Sequence, residues 1–234
     1  MNVETETFVE QLGVEKCSMK NIDRRWFIAT TACVLALRPN LARAEASGSE
    51  GDTARRLLEA VPILGEMSLG HVAAPIVMIE YSSPTCKFTP AFNEEVWPGI
   101  KRDFVEPGQV RMIFREFPMD QLALNAFMLA RCISPDKYFQ AIDLMLKRQA
   151  TWRGKDAGPP LFRIMQEFGM TQDQFESCVR NEEIGRSIVE TARRARSVFG
   201  VKATPTFFIN GRMIVAQKDQ MSVRRMIEEE IAKL

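Results

Sequence analysis

The feature that most limits what this chain can fold into is the run 76–81, Ile-Val-Met-Ile-Glu-Tyr, a nearly unbroken apolar, β-prone stretch closed by Ser82, Ser83 and Pro84. A strand with one wet face alternates apolar and polar residues. A run without that alternation is what a strand covered on both faces shows. A central, doubly covered strand therefore stands early in the chain, and the segments around it must supply the covering layers. The stretch 86–104 carries Phe92, Val96 and Ile100 at four-residue spacing and reads as a helix opening at Cys86, with a kink at Pro98. Pro107 and Gly108 then turn the chain into a second strand over 110–117, which completes a strand-helix-strand unit.

From 121 to 199 strand signal almost vanishes, and amphipathic patterns recur over 122–132, 138–148, 161–168, 172–179 and 184–199. Trp152, Phe162, Met128, Met145 and Met165 read as core of this helical block. A hairpin follows, 206–209 and 213–215 around the turn pair Asn210-Gly211, and a helix over 220–234 ends the chain. The order is βαβ, a helical insert, then ββα. It divides the chain into an α/β domain built from 70–120 and 200–234 with an all-helical insert at 121–199. The preceding stretch 45–69 reads as a linker and a short helix, capped by Thr53, with Arg55 and Arg56 outward and Leu57 and Leu58 inward.

The opening 44 residues read as an address rather than as part of the fold. Arg24 and Arg25 stand directly ahead of an apolar run of about eleven residues that ends at Leu37, the pattern of a twin-arginine export signal. The run is too short to span a bilayer, so no stable membrane anchor is expected, and Ala42-Arg43-Ala44 offers a cleavage site. Residues 1–18 show no apolar periodicity, and Met19 supplies an alternative start. Export puts the protein in the periplasm, an oxidising compartment where thiols are paired or chemically employed. Of the five cysteines, Cys17 and Cys33 fall in the leader, which leaves Cys86, Cys132 and Cys178, an odd number.

Composition removes other classes. With 31 basic against 30 acidic residues there is no field to steer nucleic acid, and the group Arg193, Arg194, Arg196 reads as a solvated helix face. One histidine, His71, in a loop-like stretch cannot supply a histidine-rich metal centre, so no metal and no cofactor are expected.

Three blocks then resemble one family. Ile79-Glu80-Tyr81-Ser82-Ser83-Pro84-Thr85-Cys86, Phe114-Arg115-Glu116-Phe117-Pro118 and Ala203-Thr204-Pro205-Thr206-Phe207-Phe208-Ile209-Asn210-Gly211 are similar to the active-site lead, a strand and the proline loop of DsbA-type thiol-disulfide oxidoreductases. The resemblance runs from about residue 70 to the C-terminus and implies a thioredoxin fold with an inserted helical domain. It implies exchange on secreted or periplasmic protein substrates, with a thiol or a membrane redox protein as recycling partner. In that family a Cys-x-x-Cys pair opens the first helix, one sulfur attacking and the other resolving the mixed disulfide. Here the pattern is Cys86-Lys87-Phe88-Thr89, so the resolving position is a threonine and the intramolecular dithiol cycle is impossible.

What remains at this site is a sulfur expected at a helix N-terminus beside Lys87, where free N–H groups and the helix dipole favour a thiolate, with the Thr89 hydroxyl expected to donate to it. Thr204 and Pro205 match the family's cis-proline loop, which faces the sulfur and offers backbone groups to an extended peptide, with Lys87 and Phe88 as neighbouring substrate contacts. Glu80 matches a buried acid that manages protons near the sulfur; with the resolving thiol gone it is a catalytic acid, a relic or a partner of Arg115. Cys132 and Cys178 match a pair that forms a structural disulfide in some relatives, the alternative being two buried thiols. The chain is then either a monothiol exchange enzyme or a redox-inactive peptide binder or chaperone that keeps the groove.

Overall fold

The computed structural model describes residues 49–217 and 219–234. The expected leader, with its paired arginines, Cys17, Cys33 and the expected cleavage site at Ala44, lies outside them.

Helix α1 (Glu50–Glu59) opens the described chain, capped by Ser49, whose hydroxyl accepts the Asp52 N–H at 3.2 Å. The cap lies four residues before the expected Thr53. Leu57 is buried, but Leu58 is exposed, because a helix lying on a sheet buries a narrow stripe and Leu58 is 100° away from Leu57. Strand β1 (Met67–Leu69) follows, inside the stretch read from sequence as linker. Then come β2 (Ile76–Ser82), a long helix α2 and β3 (Val110–Glu116). Helix α2 is a succession of turns, Thr89–Ala91, Phe92–Val96, Trp97–Ile100 and Lys101–Val105, the second and fourth widened to π-helix. The widening flanks Pro98, whose missing N–H leaves a gap in the ladder, and the Trp97 N–H reaches back five residues to the Phe92 carbonyl.

The helical block consists of α3 (Gln121–Cys132), α4 (Tyr138–Lys147), α5 (Gln149–Trp152), α6 (Gly158–Gln166), α7 (Gln172–Val179) and α8 (Glu182–Phe199). β4 (Thr206–Ile209), β5 (Arg212–Val215) and α9 (Met221–Ile231) complete the fold. The sheet order is β1-β3-β2-β4-β5, with β2 parallel to β3 and antiparallel to β4. The apolar run of the sequence is thus the middle strand, buried on both faces. Ile79 and Tyr81 pack with Leu57 of α1 and with Ala192, Ala195 and Phe199 of α8. Met78, Glu80 and Ser82 alternate to the other face, where Phe92 of α2 meets Phe207 at 4.6 Å between ring centroids.

Two neighbouring charged residues at the end of β3 tie the layers together from opposite faces. Arg115, wholly buried, donates to the Leu57 carbonyl at 2.8 Å and to the Tyr81 hydroxyl at 3.0 Å, and pairs with Glu66. Glu116, also buried, accepts from the Tyr138 hydroxyl at 2.8 Å and pairs with Arg131, so it holds α3 and α4. Arg131 continues to the carbonyls of Leu64 and Gly65 at 3.1 and 3.2 Å. The pairing of Arg115 with Glu80 that the sequence left open does not occur. Tyr81 sits opposite Arg115 in the ladder and Glu80 opposite Phe114, so acid and guanidinium point to different faces.

The block is closed by a disulfide between Cys132, at the end of α3, and Cys178 in α7, with Cα atoms 6.2 Å apart and a sequence separation of 46. Cross-linking a loop of that length withdraws about 4 kcal/mol of entropy from the unfolded chain. Replacing both cysteines by serine is expected to lower the unfolding free energy by about 2–4 kcal/mol in denaturant titrations, and reduction of the unmodified protein to do the same. Equal midpoints with and without reductant would show that the bridge is not formed.

Candidate functional site

The site is made where β2 ends and the chain turns toward α2. Ser83, Pro84 and Thr85 are buried, and Cys86 closes the turn by donating its N–H to the Ser83 carbonyl at 3.1 Å. Cys86 is the only free cysteine among the described residues and is 7% exposed. Its sulfur takes the Phe88 N–H at 3.4 Å and lies 3.2 Å from the carbonyl of Thr204, to which it donates.

The helix does not begin at Cys86 as expected, but at Thr89, with Phe88 as the capping residue. Pro90 explains the delay. In a helix opening at Cys86 the amide of residue 90 would bond the Cys86 carbonyl, and proline has no N–H to give. Gln149 of α5 supplies the missing donor, its side-chain amide reaching the carbonyls of Cys86 and Pro84, both at 2.8 Å. From the other side the Gln220 amide donates to the Phe88 carbonyl at 3.0 Å.

The late start also redirects Thr89. Its hydroxyl does not donate to the Cys86 sulfur; it shares a hydrogen bond with the Ser82 hydroxyl at 3.3 Å and is buried under the end of β2. Ser82 lies two residues beyond Glu80 on the same face of the strand, so Glu80, Ser82 and Thr89 form a line of polar groups leading to the cysteine turn. Burial pushes the Glu80 carboxyl up to about 7, and a hydrogen bond from Ser82 pulls weakly the other way. A cleft of about 480 Å³ between α2 and α4 reaches this carboxyl, with Trp97, Phe114, Phe139 and Leu146 among its walls.

The opposite wall is the loop before β4. The Thr204–Pro205 peptide bond is cis, and both residues are buried. The Thr204 carbonyl faces the sulfur and also accepts the Gln217 side-chain amide at 3.1 Å; the Thr204 hydroxyl donates to the Met119 sulfur at 3.0 Å. Met119 is 40% exposed and marks the rim. The remaining predicted residues take the outside positions: Lys87 is exposed, with its ammonium 4.9 Å from the centre of the half-buried Phe88 ring. Cys86, Thr89, Glu80, Thr204, Pro205, Lys87 and Phe88 are thus gathered at one end of the sheet, and Cys132 and Cys178 lie in the insert. Sequence reasoning missed Gln149, Gln217, Gln220 and Met119. A glutamine bound to a carbonyl more than sixty residues away leaves no local pattern to read. Among the described residues no group of three or more histidine, cysteine or acidic side chains could hold a metal ion.

The fold and the sequence have counterparts. Residues 64–229 match the family model described as Thioredoxin. The crystal structure of alpha-DsbA1 from Wolbachia pipientis superposes with a TM-score of 0.69 at 29% identity, covering 77% of this chain and 96% of that one. In sequence, a putative protein-disulfide oxidoreductase of Rickettsia bellii is 28% identical over 148 residues, 62% of this chain and 57% of the relative. The disulfide bond formation protein D of Bacillus subtilis is 24% identical over 175 residues, 72% of this chain and 78% of the relative. The chain thus spans little more than half the length of the Rickettsia relatives it matches.

The buried acid sets a pH dependence of stability. With Glu80 near 7 in the fold against an ordinary 4.5, the folded protein holds a proton that the unfolded chain releases between those values. Its contribution is fully present below pH 4.5 and is lost as pH rises through about 7, a loss of about 3 kcal/mol at most. Glu80→Gln is expected to flatten that slope in denaturant titrations at pH 4.5 and 7.5. An unchanged slope would place the carboxyl in water.

Proposed function

We propose that this chain, which belongs to the thioredoxin family and is DsbA-like within it, carries out thiol-disulfide exchange on exported proteins through the single sulfur of Cys86. The observation that carries the reading is the position of that sulfur, between the Phe88 amide and the Thr204 carbonyl, with threonine at the sequence position of a resolving cysteine and its hydroxyl bonded to Ser82. As a thiolate, Cys86 attacks one sulfur of a substrate disulfide, forms a mixed disulfide with it and expels the other sulfur as a thiolate. No second cysteine lies one turn away to attack the mixed disulfide from within, and the neutral Thr89 hydroxyl is no substitute for a thiolate nucleophile. Release falls to an external thiol, which attacks the mixed disulfide, leaves Cys86 as a thiolate and takes the substrate sulfur. Such a cycle reshuffles or reduces disulfides more readily than it makes them.

The paired arginines Arg24 and Arg25 support export by the twin-arginine route to the periplasm, with the working protein starting after Ala44. Among the described residues no helix is long and apolar enough to cross a membrane. The loop at Thr204 and Pro205, with Lys87 and Phe88 beside it, supports an extended peptide as the substrate, added alongside the loop as a strand. Glu80, joined to the cysteine turn through Ser82 and Thr89, is placed to take up or release the proton that accompanies the change at the sulfur.

The test is capture. Incubated with a peptide carrying a disulfide, the protein is expected to form a covalent adduct at Cys86 visible by intact mass, and Cys86→Ala to form none. Thr89→Cys restores a second sulfur and is expected to shorten the adduct's lifetime roughly tenfold or more, since an adjacent thiol acts at a high effective concentration. A protein that binds the peptide without ever linking to it would instead be the redox-inactive binder.

A further inference from the structure

A peptide that adds to the proline loop as a strand must find a free backbone acceptor there. The carbonyl of Thr204 is the acceptor nearest the sulfur, and a carbonyl oxygen has two lone pairs. Both are engaged from within the molecule, one by the Cys86 thiol at 3.2 Å and one by the Gln217 side-chain amide at 3.1 Å. Gln217 is held beside the loop by its own backbone, since the preceding Ala216 donates its N–H to the Pro205 carbonyl at 3.1 Å.

We propose that Gln217 is a specificity-determining residue, an internal competitor for the Thr204 carbonyl that makes docking of a peptide depend on covalent capture. The proposal rests on the exchange reading above. In the resting protein a peptide without a reactive sulfur has to displace either Gln217 or the thiol to pair with the loop. Once Cys86 enters a mixed disulfide its S–H is gone, its proton having left as the thiolate formed. One lone pair of the Thr204 carbonyl is then free. The substrate segment tethered at that sulfur is the donor best placed to take it, while Gln217 keeps the other. Peptides that react are thus held by two means, and peptides that do not react are turned away.

The test uses one extended peptide in two forms, with a disulfide-bonded cysteine and with serine at the same position. Binding of the serine form is followed by fluorescence anisotropy, and adduct formation with the cysteine form by intact mass. Gln217→Ala is expected to tighten binding of the serine form about three- to tenfold, the worth of one neutral hydrogen bond. Gln217→Glu keeps the size of the side chain but removes the amide donor, and is expected to follow the alanine variant. Tightening by alanine alone would mean that room, not competition for the carbonyl, is the cause, and would overturn the proposal. So would unchanged or weaker binding in both variants while adducts still form, a result that leaves the exchange reading standing. Absence of any adduct in the unmodified protein and in both variants overturns that reading and this one with it.

Discussion

The contact between the Cys86 sulfur and the Thr204 carbonyl, 3.2 Å across 118 residues of sequence, is the constraint on which the site depends. It exists only because β2 and β4 are neighbours in the sheet, in the register that sets Tyr81 against Thr206, so that the turn leaving one strand meets the loop entering the other. Everything between them in sequence, including the whole helical block, has to leave the sheet and return without disturbing that register. The anchors at the end of β3 meet this demand. Arg115 holds the N-terminal arm to one face and Glu116 holds the insert to the other, each fully buried and hydrogen-bonded. Such pairs add little net stability compared with apolar packing, but removing one partner leaves a charge stranded. Their effect is to fix which layer lies where.

A second consequence comes from proline. Pro90 costs the first turn of α2 a donor, and the Pro84 and Cys86 carbonyls take theirs from a side-chain amide elsewhere in the chain. Gln149 ties the cysteine turn to the insert, Gln220 ties it to the start of α9, and Gln217 ties the opposing loop. The reactive sulfur therefore sits in a frame closed by three long-range amides rather than on the first turn of a regular helix. That frame turns Thr89 away from the sulfur and toward Ser82, so the threonine completes a buried hydroxyl line to Glu80 instead of standing in for the missing thiol.

How much of this was legible follows from the range over which each feature is determined. β2, β3 and the hairpin were legible because burial on both faces, alternation and the Asn-Gly turn are local patterns. Asn210 and Gly211 indeed take positive φ values of 47° and 91°, and a side chain at Gly211 would come within 2.0 Å of the Glu50 carbonyl. Five helices of the insert were legible within a few residues for the same reason, whereas the four-residue α5 is too short to show a period. β1 was not, since three half-buried residues, Met67, Ser68 and Leu69, carry no period and become a strand only because β3 has an open edge. The helix start at Thr89 was written in Pro90, but its consequence for the direction of the Thr89 side chain depends on Ser82, which only the fold brings near. The glutamines had no signal, because each bonds a backbone atom that any residue would present.

Among the described residues Cys86 is a sulfur with no second thiol to resolve a mixed disulfide formed on it. The most direct measurement loads Cys86 of the chain from residue 45 onward with glutathione, removes the excess and follows the intact mass over hours without added thiol. The account predicts that the adduct persists and is released only when an external thiol is supplied. Loss of glutathione on that timescale with no thiol added would contradict it.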